Sequence, residues 1–354
     1  MKKHLILLPA ALIFTASCSG TSGDIPTYTE SEFASASAEI SMADLGEQGY
    51  EVERILLTGA EESGRLLISD AVDVVLTVDN IFMLTADMKV LRLSRDGRLE
   101  GYVGIKGNGP GEYLYVNDIY LAPDGNGICI NDIMKGVLTY GLDGTYIGTR
   151  EPETQAQMVF TLADGPYILE SVQTVLGNEA DRLRIRDTSG RQTGRFANHL
   201  LFRLTPKANV TAYQEYKALF QNGDGEIIFH QMSTDTVFTV HPEVPSLEPR
   251  CCFTFRHGIA QSDLSSFTDV WNDIYIVYDY AEDAAFRYVT LMEPGQQKQL
   301  YLIDKTDDII YRSTLTFPGS EEAFYPKWQY GDLLIDYCLT DDEEPCLTIL
   351  RHRN

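Results

Sequence analysis

The sequence predicts an all-β fold: a six-bladed β-propeller with four-stranded antiparallel blades, its ring closed by an N-terminal strand. Three observations carry this expectation. Short runs rich in Val, Ile, Leu, Tyr and Phe are punctuated by turn residues at a spacing of roughly 8–12 positions, the pattern of a sandwich, barrel or propeller. A hairpin with glycine at its turn then recurs, with Gly97, Gly144 and Gly190 spaced 47 and 46 residues apart. Each such hairpin follows a second pair of strands, so the repeating unit has four strands in roughly 40–50 residues, the size of a propeller blade.

The N-terminus comes first in order. Lys2 and Lys3 precede an apolar run from Leu5 to Phe14, and Thr15-Ala16-Ser17 lead into Cys18. The layout is that of a secretory signal, too short to span a bilayer. Small residues directly before a cysteine resemble the lipobox of bacterial lipoproteins, which implies lipidation at Cys18. Residues 1–17 are therefore expected to be a signal peptide, 18–41 a lipidated, flexible tether rich in Ser, Thr, Ala and Gly, and 42–354 the propeller.

The first blade pairs Val74–Thr77 with Ile81–Leu84 and continues through Val90-Leu-Arg-Leu, the turn Asp96-Gly97 and Arg98–Val103. The second pairs Ile119–Leu121 with Ile128–Ile130, then turns at Asp143-Gly144. In the third, Arg182–Arg186 turns at Ser189-Gly190. Glycine suits these turns because it takes positive φ without a Cβ clash. Weaker copies lie at Val237–Pro242, Leu300–Tyr311 and Leu333–Leu350. The segment Tyr50–Leu57 has strand character and is expected to join the last blade, removing an exposed edge. A seventh blade is the alternative if more than one N-terminal strand joins the ring. Ser262–Val270 reads as a short helix with Ser262 as its cap.

Charge and cysteines narrow the function. A formal net charge of −24 makes nucleic acid a poor partner. Besides Cys18 the chain has Cys129, Cys251, Cys252, Cys338 and Cys346, with no CxxC pair. Cys338 and Cys346 flank an acidic turn and are expected either to form a disulfide across a hairpin or to remain buried thiols.

Gly107-Asn-Gly-Pro-Gly-Glu-Tyr113, following a hairpin, resembles the GxGPGEY signature of six-bladed β-propeller lipoproteins, relatives of the NHL and TolB-like propellers. The resemblance covers the chain from about Tyr50 to its end. It implies a lipid-anchored propeller but no particular activity.

The residues expected to bind a ligand lie in the connections between blades: Glu112, Tyr113, Arg150, Arg256, His257 and Trp328. Stretches His199–Lys207 and Tyr325–Trp328 add aromatics and cations suited to sugars or carboxylates. The alternative for the motif is structural, with Glu112 satisfying loop amides and Tyr113 wedged between blades. No catalytic residue is named, since the chain has no GxSxG elbow and no paired histidine spacing. No cofactor is expected, although Asp79, Asn80, Asn117, Asp118, Asn131 and Asp132 are the oxygen donors a calcium ion would use.

The functional expectation is a non-catalytic envelope module that binds a peptide, a glycan or a partner protein. It would be a monomeric outer-membrane lipoprotein facing the periplasm or the cell surface, touching the membrane only through its lipid. The alternative is a metal-dependent lactonase- or lyase-type enzyme acting at the central channel.

Overall fold

In a computed structural model of the chain, the described residues are 25–59, 65–151, 158–174, 177–199, 201, 218–232, 234–255, 274–295, 297–317 and 323–353. They form an all-β molecule whose sheets have a propeller-like arrangement. The helix expected at Ser262–Val270 lies outside them, as do Arg256, His257 and Cys18.

Three antiparallel meanders stand alone as four-stranded sheets. The first runs Ala71–Leu76, Asn80–Thr85, Val90–Ser94 and Leu99–Tyr102. The second runs Val116–Leu121, Gly127–Asp132, Gly136–Gly141 and Tyr146–Arg150. The third runs Val159–Asp164, Tyr167–Val172, Asp181–Asp187 and Gln192–Ala197. A fourth meander, Ile276–Glu282 to Ile310–Thr314, gains a fifth strand because Ala38–Ser41 adds to its outer edge in parallel.

The remaining strands do not form two further separate blades, which corrects the expectation of six four-stranded sheets: four stand apart, Ile105–Lys106 and Glu112–Tyr113 pair with each other, and the rest belong to one nine-stranded sheet. Its cause is a short parallel bridge, Gln221 to Tyr330 and Asn222 to Gly331, that fuses the 219–254 and 328–352 strands. Thr27–Thr29 adds in parallel to one end of this sheet. Tyr50–Leu56 lies along the other end, paired with Pro345–His352 from Cys346–Leu56 to His352–Tyr50.

Residues 25–41, expected to be tether, are therefore largely ordered. The strands Thr27–Thr29 and Ala38–Ser41 are each followed by a one-turn helix, Glu30–Ser35 and Met42–Glu47. Capping boxes start both: Thr29 with Glu32, and Ser41 with Asp44. Composition alone hid this, because strands of three and four residues carry no measurable period.

Burial follows position in the sheet. The second strand of the second meander, Gly127–Asp132, is buried at every residue because neighbouring sheets cover both its faces. The next strand outward, Gly136–Gly141, alternates buried and half-buried positions. Apolar clusters fill the seams between sheets; one joins Val75, Phe82 and Val90 of the first meander to Tyr113, Ile119, Ile130 and Tyr140. Buried carboxylates staple the same seams. Asp73 Oδ2 accepts from the amide of Ile119 at 3.2 Å, and Asp118 Oδ2 accepts from that of Thr161 at 2.8 Å. The described thiols Cys129, Cys251, Cys252, Cys338 and Cys346 are free, although Cys338 and Cys346 are paired residues on adjacent strands.

Candidate functional site

The glycine-rich loop is a clasp between the first two meanders. Its ends, Ile105–Lys106 and Glu112–Tyr113, pair in parallel. The Glu112 carboxylate turns back into the loop and accepts from the Gly109 amide at 2.7 Å. A Cβ at Gly107 would sit 2.1 Å from Glu112 Oε2, so a larger residue there would displace that carboxylate from the Gly109 amide. Lys135, from the second meander, donates through Nζ to the carbonyls of Gly107 at 2.9 Å, Gly109 at 3.3 Å and Glu112 at 2.6 Å. Tyr140 donates to the Gly111 carbonyl at 2.8 Å. Tyr113 is 2% exposed, inside the seam between the sheets. Glu112 thus braces the loop itself, and Tyr113 fills the seam between the sheets.

Of the other residues singled out from sequence, those described do not meet them. Trp328 is 2% exposed and packs with Ile335 and Ile349 in a separate cluster. Arg150 is exposed and lies against the turn of the third meander, where a Cβ on Gly190 would come within 2.9 Å of its Nη1. His199 is exposed. In the Tyr325–Trp328 stretch the one cation, Lys327, is engaged internally. Lys327 Nζ lies 3.4 Å from Asp336 Oδ1 and donates to the Tyr337 carbonyl at 3.1 Å. Burial raises the Asp336 carboxyl to about 6, with Lys327 opposing. Beside it, Lys298 Nζ sits 4.4 Å from the Tyr325 ring centre.

The oxygen donors considered for calcium are spread out. Asn131 Nδ2 donates to Asp118 Oδ2 and to Thr161 Oγ1, at 2.8 Å each. Asp132 accepts from the amides of Tyr115, Met134 and Lys135 at 3.1, 2.7 and 2.9 Å. Asn80 donates to Glu100 at 3.0 Å, and Asp79 is exposed. Among the described residues no three His, Cys, Asp or Glu side chains are placed to share one ion.

Two recesses differ sharply in size. The first lies where the inner strands of several sheets converge, lined by Leu162, Leu219, Phe220, Tyr280, Trp328 and Gln329 among others, and has a volume of about 20 Å³. That is room for one water. The second, about 800 Å³, opens on the face formed by the hairpin turns, where the first, second and 328–339 hairpins approach one another. Leu76, Leu121, Leu142 and Leu333 supply apolar surface, and Arg92 and Arg95 supply charge.

Arg92 Nε lies 3.5 Å from Glu100 Oε2, and its Nη1 donates to the Leu142 carbonyl at 3.4 Å. Arg95 Nη1 is out of contact with solvent and has no hydrogen-bond partner. On the rim, the amide and hydroxyl of Thr145 hold the Asp143 carboxyl below the usual range, helped by Arg92. Neither arginine nor Lys135 was legible as functional. Arg95 merely precedes the Asp96-Gly97 turn, and the recess gathers turns from distant parts of the chain.

A family model for a domain of unknown function, DUF4934, matches residues 37–344. No curated protein matches the chain significantly. Among solved structures, a protein of Bacteroides fragilis NCTC 9343 whose description infers export is similar at a TM-score of 0.69 and 14% identity, over 93% of this chain and 99% of that one. A DUF4221 family member from Bacteroides vulgatus ATCC 8482 is similar at 0.56 and 10%, over 86% and 99%. Likeness at such identity concerns the fold.

Proposed function

The chain belongs to the DUF4934 family, and from that premise we propose that it is a binding module of the cell envelope, a six-bladed propeller anchored through a lipid on Cys18. The nine-stranded sheet is read as two blades joined by the two-pair bridge at Gln221 and Asn222. Tyr50–Leu56 is read as the outer strand that closes the ring. Two contacts between its continuation and the first meander support this: the Thr58 amide donates to the Gly97 carbonyl and the Leu99 amide to the Thr58 carbonyl, each at 2.9 Å.

The observation that carries the binding reading is the contrast between recesses. A site for a peptide or glycan needs several hundred Å³ with apolar surface and a few polar anchors. The hairpin-face recess has about 800 Å³, with four leucines and two guanidinium groups. The enzyme alternative would act at the central channel, and the recess lined by inner-strand residues among the described ones holds about 20 Å³. Arg150 stays in the reading as an exposed residue of a blade connection, and Arg256 and His257 stay in it on their sequence position alone. The protein would act as a monomer facing the periplasm or the exterior.

Methyl-labelled protein titrated with envelope peptides and glycan fragments tests this. The expected result is saturable shifts at the methyls of Leu76, Leu121, Leu142 and Leu333, weakened at least tenfold by Arg95→Ala. Turnover of a lactone or glycan that persists in that variant would overturn the non-catalytic reading.

A further inference from the structure

The wall of the hairpin-face recess is built from segments far apart in the chain. Leu76 ends the inner strand of the first meander, Leu121 and Leu142 stand at two turns of the second, and Leu333 opens the strand Leu333–Leu339. All four leucines are half-buried, so each keeps part of its surface towards the opening. Tyr330 supplies the one aromatic ring among the described lining residues, and its hydroxyl donates to the Val74 carbonyl. The wall is therefore aliphatic. It suits a branched alkyl side chain better than a sugar ring, which is held by stacking on aromatic faces.

The two guanidinium groups of the recess are not equivalent. Arg92 has Glu100 Oε2 at 3.5 Å and the Leu142 carbonyl at 3.4 Å. Arg95 Nη1 is shut off from solvent with no hydrogen-bond partner, and among the described residues Arg95 has no ion pair. The carboxylates of the same turns are committed elsewhere. Asp96 accepts from the Ser94 hydroxyl, Glu100 from Asn80 Nδ2 at 3.0 Å, and Asp143 from the Thr145 amide at 2.9 Å. A guanidinium does not lose its proton in proteins, so a donor sealed from water without an acceptor is destabilised. An incoming carboxylate relieves it, and it matches the guanidinium fork with two parallel hydrogen bonds.

We propose that this recess binds the C-terminal residue of a peptide, with its α-carboxylate on Arg95 and its aliphatic side chain among Leu76, Leu121, Leu142 and Leu333. The inference rests on the binding reading above and narrows it to one ligand class. Capture of a terminal carboxylate is an established mode of peptide recognition. Asp79 and Asp143, both exposed at the rim, offer acceptors to the N–H groups of a peptide, which the alkyl chain of a fatty acid lacks. The same carboxylates, on a chain of net charge −24, disfavour acidic residues upstream of the captured terminus.

Three probes are titrated into the methyl-labelled protein: N-acetyl-alanyl-alanyl-leucine as the free acid, the same peptide as its C-terminal amide, and octanoate. The expected result is saturable shifts at the four leucine methyls, with the acid bound at least tenfold more tightly than the amide and than octanoate. Arg95→Gln should bring the acid down to the affinity of the amide and leave the amide unchanged. The comparison of acid with amide needs no variant, so it decides the matter even if Arg95→Gln fails to fold. Equal binding of acid and amide would overturn this inference and leave the broader binding reading standing. Octanoate binding as tightly as the acid would also overturn it, by making a free fatty acid the occupant. If neither these probes nor the peptides and glycan fragments of the wider titration shift the leucine methyls, both readings fall.

Discussion

Gly97 and Gly144 occupy the same turn in consecutive meanders, with φ of +88° and +86°, yet the two sites differ in what surrounds them. A Cβ at Gly97 would lie 2.2 Å from the Leu56 carbonyl oxygen, backbone that cannot swing aside. At Gly144 the nearest atom, the Tyr102 carbonyl oxygen, is 3.4 Å away. Gly144→Ala should therefore cost about 1–2 kcal/mol, the ordinary strain of a left-handed alanine. Gly97→Ala should cost at least about 2 kcal/mol more, seen as a larger drop in the urea midpoint. His230 makes a prediction of a different kind. Burial lowers its pKa from 6.5 to about 4, helped by the Arg182 charge. The unfolded chain then takes up a proton before the folded one does, so this residue's contribution is full above pH 6.5 and is lost as pH falls towards 4. Asp336, raised to about 6, acts oppositely: its contribution is full below the unfolded value near 3.8 and is lost as pH rises through 6. Each can approach about 1.4 kcal/mol per pH unit inside its window. Relative to the parent, His230→Leu should lose less stability on acidification from pH 6.5 to 4, and Asp336→Asn should lose more. Equal slopes in all three proteins would refute both assignments.

At the scale of elements, the glycine-rich loop shows how a motif can be legible while its role is not. The spacing of its glycines was visible in sequence, and so was the option that Glu112 satisfies loop amides. Lys135 was invisible, because it arrives from a turn beyond the next two strands. Its ammonium replaces water for three carbonyls at once. Lys135→Met should cost about 2–3 kcal/mol, since it leaves half-buried acceptors without a donor. The change should appear as faster hydrogen exchange confined to residues 107–113, and uniform acceleration over the whole chain would contradict a local role. The short strands Thr27–Thr29 and Ala38–Ser41 were missed for the converse reason. Their pattern is too brief to read as a period, and it is the free edge of another sheet that makes them strands.

For the whole molecule, the N-terminal segment is a belt that runs over the outer strands of successive sheets. A chain beginning at residue 42 loses the strands at 27–29 and 38–41, and with them Tyr28 and Phe33 from the cluster that also holds Phe253 and Tyr301. It should fold with a stability lower by several kcal/mol, about the cost of removing one or two buried aromatics. A chain beginning at residue 58 also loses the seven-pair ladder to Pro345–His352 and should show no cooperative urea transition. If the second chain unfolded like the first, the proposed ring closure would be wrong.

The sequence by itself determined the class of fold, since turn spacing and apolar runs are local properties of a chain that alternates strand and turn. It also placed the strands of the first two meanders, the outer hairpin of the third and the turn glycines, because positive φ leaves its mark in residue type. Only the tertiary structure decided how sheets join, which edges are covered, and where a recess opens. The bridge at Gln221 and Asn222, the arginines of the hairpin face and the burial of Tyr113 and Trp328 all depend on which distant segments meet. Contacts of that kind are set by packing between faces, and an aromatic or cationic residue looks the same in sequence whether a neighbouring sheet covers it or leaves it to solvent.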